Sequence, residues 1–255
     1  LTLPVAMPAP SRLMLTSVDV ASSSSDLAWQ AAAEGAPSGS AYLVGEQTAG
    51  RGRRGAAWSS ARGGMYLSVL LRPAIPPQAF FGLSFVAALA IRAELAARLP
   101  AHDVMLKWPN DVLVGGGKIC GILLEARGDA VVVGTGVNIA PVVSPAGARL
   151  PAISVHECGG SDVTPVDLAE HYGRSLVARV DDYVQRGFAP VRLEWLRHCA
   201  HIGGQVRVST GASVTAGVTE GLFVDIDAQG ALLLRDDAGD LNRVTTGDAE
   251  LMGGP

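Results

Sequence analysis

The sequence predicts an α+β protein: a larger domain of helices and strands, residues 1–200, followed by a small β-barrel, residues 201–255. Two observations support this prediction. Up to about residue 200, short apolar runs bounded by Gly, Pro, Asn and Asp alternate with helical patterns. After Gly203 and Gly204 only short strand patterns follow, about five in roughly fifty residues, which is typical of a small barrel.

The first predicted elements are a strand, a helix and a second strand. Arg12 to Val20 and Ala41 to Glu46 have strand patterns. Between them, the hydroxyl groups of Ser22 to Ser25 can cap a helix. Asp26 lies near the start of this helix, where a negative charge interacts favourably with the helix dipole. We therefore expect a helix that runs to about Glu34.

A long loop and a second group of elements follow. Thr48 to Gly64 is rich in Gly and Arg and has no apolar period, whereas Met65 to Arg72 alternates like a half-buried strand. The apolar helix predicted at about 79–98 contains Arg and Glu, which favours a core helix over a membrane span. Four short strands are predicted next, at Val104–Lys107, Val112–Val114, Ile119–Glu125 and Ala130–Val137.

The C-terminal third contains the last helices and the barrel. Two amphipathic helices, Pro165–Arg186 and Ala189–His198, complete the larger domain. The barrel strands are predicted at about residues 205–209, 212–219, 222–227, 231–235 and 241–246.

Composition limits the classes of function. A net charge of −4 argues against a general nucleic-acid binder, so we expect no nucleic-acid partner. The three cysteines include no CxxC pair, and Leu1–Pro10 lacks the pattern of a leader or an anchor. These features predict a cytoplasmic protein that binds no membrane.

Lysine is nearly absent from the chain. Of twenty Lys and Arg residues only Lys107 and Lys118 are lysines, and both lie in one short segment. Because Lys is a compact point charge and Arg a planar fork, this bias indicates that both positions need an ammonium group. Chance retention on a solvated surface is the alternative.

Three arginines, Arg51, Arg53 and Arg54, stand between glycines in the loop. Backbone N–H groups and guanidinium forks in such a loop can surround a carboxylate or a phosphate. The formal G-x-G-x-x-G pattern does not indicate a dinucleotide site, because no helix follows and no acidic residue lies between Glu46 and Glu94. An RNA contact and a solvated loop remain alternatives.

Further motifs combine cations, amides and glycines. The turn at Lys107–Asp111 presents an ammonium, an amide and a carboxylate together, although an ordinary turn between strands is the alternative. Gly115–Glu125 resembles a P-loop, but a strand pattern follows where a helix should, so we expect a hairpin that holds Lys118. His198, Cys199 and His201 lack a fourth ligand, which disfavours a metal site.

Taken in order, these segments resemble the biotin protein ligases. The resemblance covers about residues 12–252 and includes Gly221 to Leu233 near the C-terminus. It rests on a serine-rich helix start followed by four segments that match in order and spacing: Glu46–Trp58, Lys107–Asp111, Gly117–Glu125 and Gly134–Asn138.

The resemblance implies a mixed β-sheet catalytic domain packed with helices, like class II synthetases and biotin–lipoyl ligases, followed by an SH3-like β-barrel. It also implies ATP-dependent activation of biotin to biotinyl-5′-AMP and transfer of biotin to a lysine of a biotin carboxyl carrier domain of acetyl-CoA or a related carboxylase. Biotin, ATP and Mg²⁺ are the implied small molecules, with Mg²⁺ carried by the ATP phosphates and contacted by Asp111.

The resemblance also assigns roles to residues. Those implied in catalysis are Arg51, Arg53, Lys107, Asp111 and Lys118. Those implied in biotin binding are Ser23, Ser24, Gln47, Gly50, Arg51, Arg53, Trp58, Lys118, Gly121, Leu123, Gly134 and Gly136. Those implied in ATP binding are Arg53, Lys107, Asn110, Asp111, Lys118 and Asn138.

The chain departs from the family pattern in three places. Four serines leave the register of the helix start open, Ala56 replaces the last arginine of the loop, and no Trp near Leu150–Val155 offers a platform for adenine. The short segment before Arg12 predicts a monofunctional enzyme without a DNA-binding domain.

The sequence leaves two rival interpretations of function: a lipoate or octanoate transferase, and a non-enzymatic RNA- or protein-binding module. The choice between homodimer and monomer also stays open.

Overall fold

The structure, a computed structural model, describes residues 12–144, 148–209 and 217–252. The strands of a first sheet are β1 (Met14–Ala21), β2 (Ser40–Gln47), β3 (Met65–Leu71), β4 (Val104–Lys107), β5 (Asp111–Val114), β6 (Gly117–Arg127) and β7 (Ala130–Val137). The helices are α1 (Ser24–Ala33), α2 (Gly82–Arg98), α3 (Pro165–Arg186) and α4 (Phe188–Arg197). A second sheet contains β8 (Gln205–Ser209), β9 (Val218–Ile226), β10 (Leu232–Arg235), β11 (Leu241–Val244) and β12 (Asp248–Leu251).

The first sheet is mixed, as the resemblance implied. Its strand order is β1-β2-β3-β7-β6-β5-β4. Strands β1 and β2 are parallel, and the remaining neighbours are antiparallel. The parallel pair is possible because α1 carries the chain from the end of β1 back to the start of β2.

Helices cover both faces of the first sheet. On one face, Ala28 and Trp29 of α1 pack against Leu70 and Val132. On the other face, α2 and α3 form the main core with the sheet. The prediction that Met65–Arg72 is half-buried is therefore wrong: all seven residues of β3 are buried, because a central strand covered on both faces has no solvent side.

Helix α1 begins as its serines predict. Ser23 is the N-cap, and its hydroxyl accepts a hydrogen bond from the backbone N–H of Ser25 at 3.2 Å. Asp26 lies in the first turn, where its charge favours the positive end of the helix dipole. The cap fixes where the serine side chains lie relative to the sheet.

The stretch Pro77–Arg98 is long and apolar enough to cross a membrane by length and composition alone. In this fold, 61% of its most apolar window is buried inside the protein. Leu83, Ile91 and Leu95 are fully buried in the main core. Core packing accounts for the apolar composition of α2, as the sequence predicts.

The second sheet is antiparallel, with the order β11-β10-β9-β8-β12. The sequence predicts a small SH3-like barrel here, and among the described residues its strands form one sheet that does not close, since no pairing joins β11 to β12. Instead, Asp248 and Glu250 of β12 form ion pairs with basic residues that precede this sheet. Residues 212–216 of one predicted strand lie outside the described residues, and the boundary near residue 200 stays a prediction.

We predict that Leu89→Ala lowers the free energy of unfolding by about 2–5 kcal/mol, because Leu89 is buried between α2 and its neighbours and its removal leaves a cavity. Leu193→Ala on α4 is the matched control, since Leu193 is 54% exposed, and we expect a change within about 0.5 kcal/mol. Denaturant unfolding measures both. Equal effects of the two substitutions would contradict this packing.

Candidate active site

A cleft of about 500 Å³ opens beside the first turn of α1. The first sheet forms its floor, through β5, β6 and β7. The loop from Thr48 to Gly64, here called the arginine loop, forms a second wall, and Gly247 and Asp248 at the start of β12 close a third side. Most of the side chains that the sequence predicts for ligand binding therefore lie around one cavity.

Glycines make the floor of the cleft. Gly134 and Gly136 follow Val132 on the face of β7 that α1 covers, and neither has a side chain to fill the space. A Cβ atom on Gly136 would lie 2.6 Å from Cε2 of Trp58, and one on Gly121 would lie 2.9 Å from Cζ3 of Trp58. The indole of Trp58 thus packs directly on these glycines and anchors the arginine loop to the sheet.

Serine and amide groups form a polar end of the cleft. Gln47 accepts a hydrogen bond from the backbone N–H of Ser24 at 2.8 Å, and its own amide donates to Ser60 at 2.7 Å. The hydroxyl groups of Ser24 and Ser68 are 2.8 Å apart. Because each group has fixed partners, this end can present defined donors and acceptors to a neutral polar ligand.

Lys118 lies at the opposite, charged end. Its Nζ forms an ion pair with Oδ1 of Asp111 at 2.7 Å. The same ammonium group is 5.3 Å from the centroid of the Trp58 ring. The cation is therefore held between a carboxylate and an aromatic ring, with 29% of its side chain still exposed towards the cleft.

Lys107 is buried beneath this end of the cleft, with only 1% of its side chain exposed. Its Nζ contacts Asp248 of the second sheet and lies 3.9 Å from Oδ2 of Asp111. The two lysines of the chain thus share Asp111, which supports the inference that both ammonium groups serve one site.

Two arginines tie the arginine loop to neighbouring elements. Arg51 forms an ion pair with Asp26 of α1 at 2.7 Å, and its hydrogen bond lowers the pKa of that carboxyl group. Arg53 donates to Asn110 at 3.2 Å and to the carbonyl oxygen of Gly247 at 3.4 Å. Burial, and then the charge of Arg54, lower the pKa of Arg53, and the charges of Asp111 and Asp248 only partly oppose this.

Three predicted ligand-binding residues do not line the cleft: Gly50, Lys107 and Asn138. Gly50 allows the loop to fold back, because a Cβ there would lie 2.4 Å from the Ser60 hydroxyl. Asn138 donates to the carbonyl oxygens of Lys118 and Ile153, both at 3.2 Å, and so joins two segments behind the cleft. Their contacts with a ligand stay predictions.

The cleft also contains residues that the sequence analysis missed, notably Ser25, Tyr66, Arg149 and Asp248. The run of four serines was a signal for Ser25, because the sequence leaves open which of these serines begins the helix. Tyr66 donates to the carbonyl oxygen of Ala61 at 2.7 Å, and burial raises its pKa to about 12. Arg149 and Asp248 belong to no local motif and reach the cleft only through the tertiary fold.

Comparison with known proteins identifies relatives of this chain. Residues 18–139 match the Biotin/lipoate A/B protein ligase family, and residues 201–252 match the Biotin protein ligase C terminal domain. The chain is 41% identical over 216 residues to a biotin--[acetyl-CoA-carboxylase] ligase of Paracoccus denitrificans, covering 79% of this chain and 87% of that protein. It is 33% identical over 243 residues to the bifunctional ligase/repressor BirA of Bacillus subtilis, covering 91% and 72% respectively.

The fold agrees as well. The structure of a biotin protein ligase from Aquifex aeolicus in complex with biotin and ATP superposes with a TM-score of 0.79 at 24% identity, covering 94% of this chain and 99% of that one. The glycine floor, the arginine loop and the Lys107–Asp111 turn thus stand in a fold of this type. Together with the extent of the sequence identity, this shows that the chain belongs to the biotin protein ligase family.

Proposed function

We propose that this chain activates biotin with ATP to form biotinyl-5′-AMP and then transfers biotin to a lysine of a biotin carboxyl carrier domain. The observation that carries the proposal is the convergence of Lys118, Arg53 and the buried Lys107 beside a glycine-floored cleft. The Paracoccus relative is named for ligation of biotin to acetyl-CoA carboxylase, and the Aquifex structure is described with biotin and ATP.

The first step joins two anions. An oxygen of the biotin carboxylate attacks the α-phosphorus of ATP, and the bond from that phosphorus to the β-phosphate bridging oxygen breaks to release pyrophosphate. Negative charge repels the approaching groups and grows on the phosphate oxygens, so fixed cations lower the barrier. Lys118 and Arg53 line the cleft where this junction would form, and Arg51 extends the wall towards α1.

Biotin would occupy the cleft between the polar end and Lys118. Ser23, Ser24 and Gln47 would meet its polar ring atoms, since their donors and acceptors are already oriented. Gly121, Gly134 and Gly136 would allow close approach to the sheet, with Leu123 beside them. Trp58 now packs on two of these glycines, so we expect it to shift or to pack against the ligand.

Magnesium would enter as part of the nucleotide substrate. Among the described residues, no group of three acidic, His or Cys side chains could hold a metal ion. Asp111 is already paired with both lysines, which leaves it at most a supporting contact to a phosphate-bound cation.

Burial, and then the charge of Lys107, lower the pKa of His201 to about 4, so this buried imidazole is neutral near pH 7.

The second step transfers biotin to the carrier. The uncharged amine of the carrier lysine attacks the carbonyl carbon of the mixed anhydride, and the bond from that carbon to the phosphate oxygen breaks. AMP leaves with the electron pair and its negative charge, and the nitrogen releases one proton to solvent as the amide forms. Asp111 would orient the incoming amine, since it lines the cleft beside Lys118. Ordering of the arginine loop over the intermediate would protect the anhydride from water.

The main rival is transfer of lipoate or octanoate, because the family match to residues 18–139 names both biotin and lipoate ligases. The match of residues 201–252 to a biotin protein ligase C-terminal domain favours biotin, as do the names of the relatives.

We predict that a biotin carboxyl carrier domain incubated with this protein, ATP, Mg²⁺ and biotin gains one biotinyl group on a single lysine, as measured by mass spectrometry. Reactions without ATP, or with lipoate in place of biotin, should leave the carrier unchanged. Labelling by lipoate alone would favour the rival activity. No labelling together with no biotin binding in calorimetry would refute the proposed function.

We predict that Lys118→Ala lowers biotin-dependent exchange of pyrophosphate into ATP by about 10²–10³-fold, because a fixed cation at the developing charge is lost. Lys118→Arg should restore little of this rate, since a planar fork does not replace a point charge held between Asp111 and Trp58.

Arg174→Gln is the matched control for this test, because Arg174 only pairs with Glu170 on the exposed side of α3. We expect this variant to exchange pyrophosphate at the wild-type rate. Unchanged exchange by Lys118→Ala would remove Lys118 from its role.

A further inference from the structure

Three consecutive residues, at the turn before β12 and its first position, contact basic side chains of the cleft and its surroundings. The hydroxyl of Thr246 accepts a hydrogen bond from Arg54 at 3.0 Å, and the carbonyl oxygen of Gly247 accepts one from Arg53 at 3.4 Å. Asp248 contacts Lys107 directly and lies 3.6 Å from Nη1 of Arg149. This short segment, residues 246–248, therefore touches four basic side chains that come from elsewhere in the chain.

We propose that Asp248 is a positioning residue for the nucleotide: its carboxylate fixes the ammonium of Lys107 beneath the cleft and the guanidinium of Arg149 in the cleft wall, where their charges attract the triphosphate. The proposal rests on the proposed function, since it names two cations and one acid for the ATP part of that same site. Asp248 would act through Lys107 and Arg149 and not on the reacting atoms.

Burial makes Lys107 depend on a counter-charge. With 1% of its side chain exposed, its ammonium group has lost nearly all contact with water, which is unfavourable unless an anion replaces the water. Two carboxylates flank it, Asp248 in direct contact and Asp111 at 3.9 Å. Asp248 is therefore the nearer of its two partners.

Asp111 already has another partner, which makes Asp248 necessary. Lys118 is 2.7 Å from Asp111, closer than Lys107 is. Without the charge of Asp248, the ammonium of Lys107 would move towards Asp111 and compete with Lys118 for it. Asp248 thus draws Lys107 away from Lys118, in a row of alternating charges that runs Lys118, Asp111, Lys107, Asp248.

Arg149 is the exposed member of the group. Its side chain is 45% exposed, lines the cleft, and also lies 2.9 Å from Glu250. Exposed ion pairs of this kind are weak. A polyanion in the cleft could therefore replace the carboxylates as partner of the guanidinium with little loss of free energy. A triphosphate has the charge and the size for this exchange.

Asp248 is charged under ordinary conditions. Burial acts to raise its pKa, but the charge of Lys107 and its hydrogen bond outweigh burial, so the pKa lies below its usual value. A lowered pKa means that the carboxylate contributes stability above its unfolded pKa and loses it as the pH falls through the folded value. At neutral pH the charge needed to hold Lys107 is present.

A purely structural role is the alternative, because Asp248 also joins the second sheet to the rest of the protein. Other contacts make that join, including the hydrogen bond from Trp108 to the carbonyl oxygen of Gly230 at 3.1 Å. A structural role would weaken biotin binding and ATP binding together. A positioning role changes the Michaelis constant for ATP and leaves the biotin site intact.

The test compares Asp248→Asn, Asp248→Glu and Glu220→Gln in pyrophosphate exchange. We expect Asp248→Asn to raise the KM for ATP by about tenfold or more, as for loss of a hydrogen bond to a charged group, with an unchanged Kd for biotin alone in calorimetry. Asp248→Glu keeps the charge and should recover most of the ATP affinity. Glu220→Gln removes a matched ion pair with Arg207 in the same sheet and should leave both constants unchanged.

The outcomes separate the two proposals. A wild-type protein that fails to exchange pyrophosphate would refute the proposed function. An active wild type with an unchanged KM for ATP in Asp248→Asn would overturn the role of Asp248, as would equal losses of biotin and ATP affinity. If Asp248→Asn does not fold, Arg149→Gln replaces it: a rise of about threefold or more in the KM for ATP is expected, and no rise would overturn the proposal.

Discussion

The site depends on holding several positive charges close together inside an acidic protein. Lys107, Lys118 and Arg53 would repel one another if they stood alone, and burial would make each charge less favourable. Two carboxylates, Asp111 and Asp248, separate them, so cations and anions alternate across the cleft. The carboxylates balance part of the positive charge, which favours folding. The cations can still bind a ligand whose phosphates carry more negative charge than either carboxylate.

The fold brings these groups together from distant parts of the chain. The first sheet places Asp111 and Lys118 on adjacent strands, and the glycines of β7 leave space above it. Helix α1 places serine hydroxyls at one end of that space, and the second sheet brings Asp248 to the other. The groups around the cleft therefore come from different elements, and the cleft is complete only when both sheets are in place.

Local chemistry explains what the sequence could predict. The serine cap of α1, the boundaries of α3 and the mixed sheet followed from capping, periodicity and the resemblance, and the structure agrees. Burial of β3 on both faces was missed, because it depends on which elements lie against that strand. Arg149 and Asp248 were missed for the same reason: an ordinary Arg and Asp gain a role only when the two sheets meet.

A crystal structure with biotin and a non-hydrolysable ATP analogue tests the central claim most directly. The account predicts the biotin carboxylate and the α-phosphate side by side at Lys118 and Arg53, with the triphosphate running towards Lys107 and Arg149. Density for both ligands with these four side chains directed away from them would contradict it.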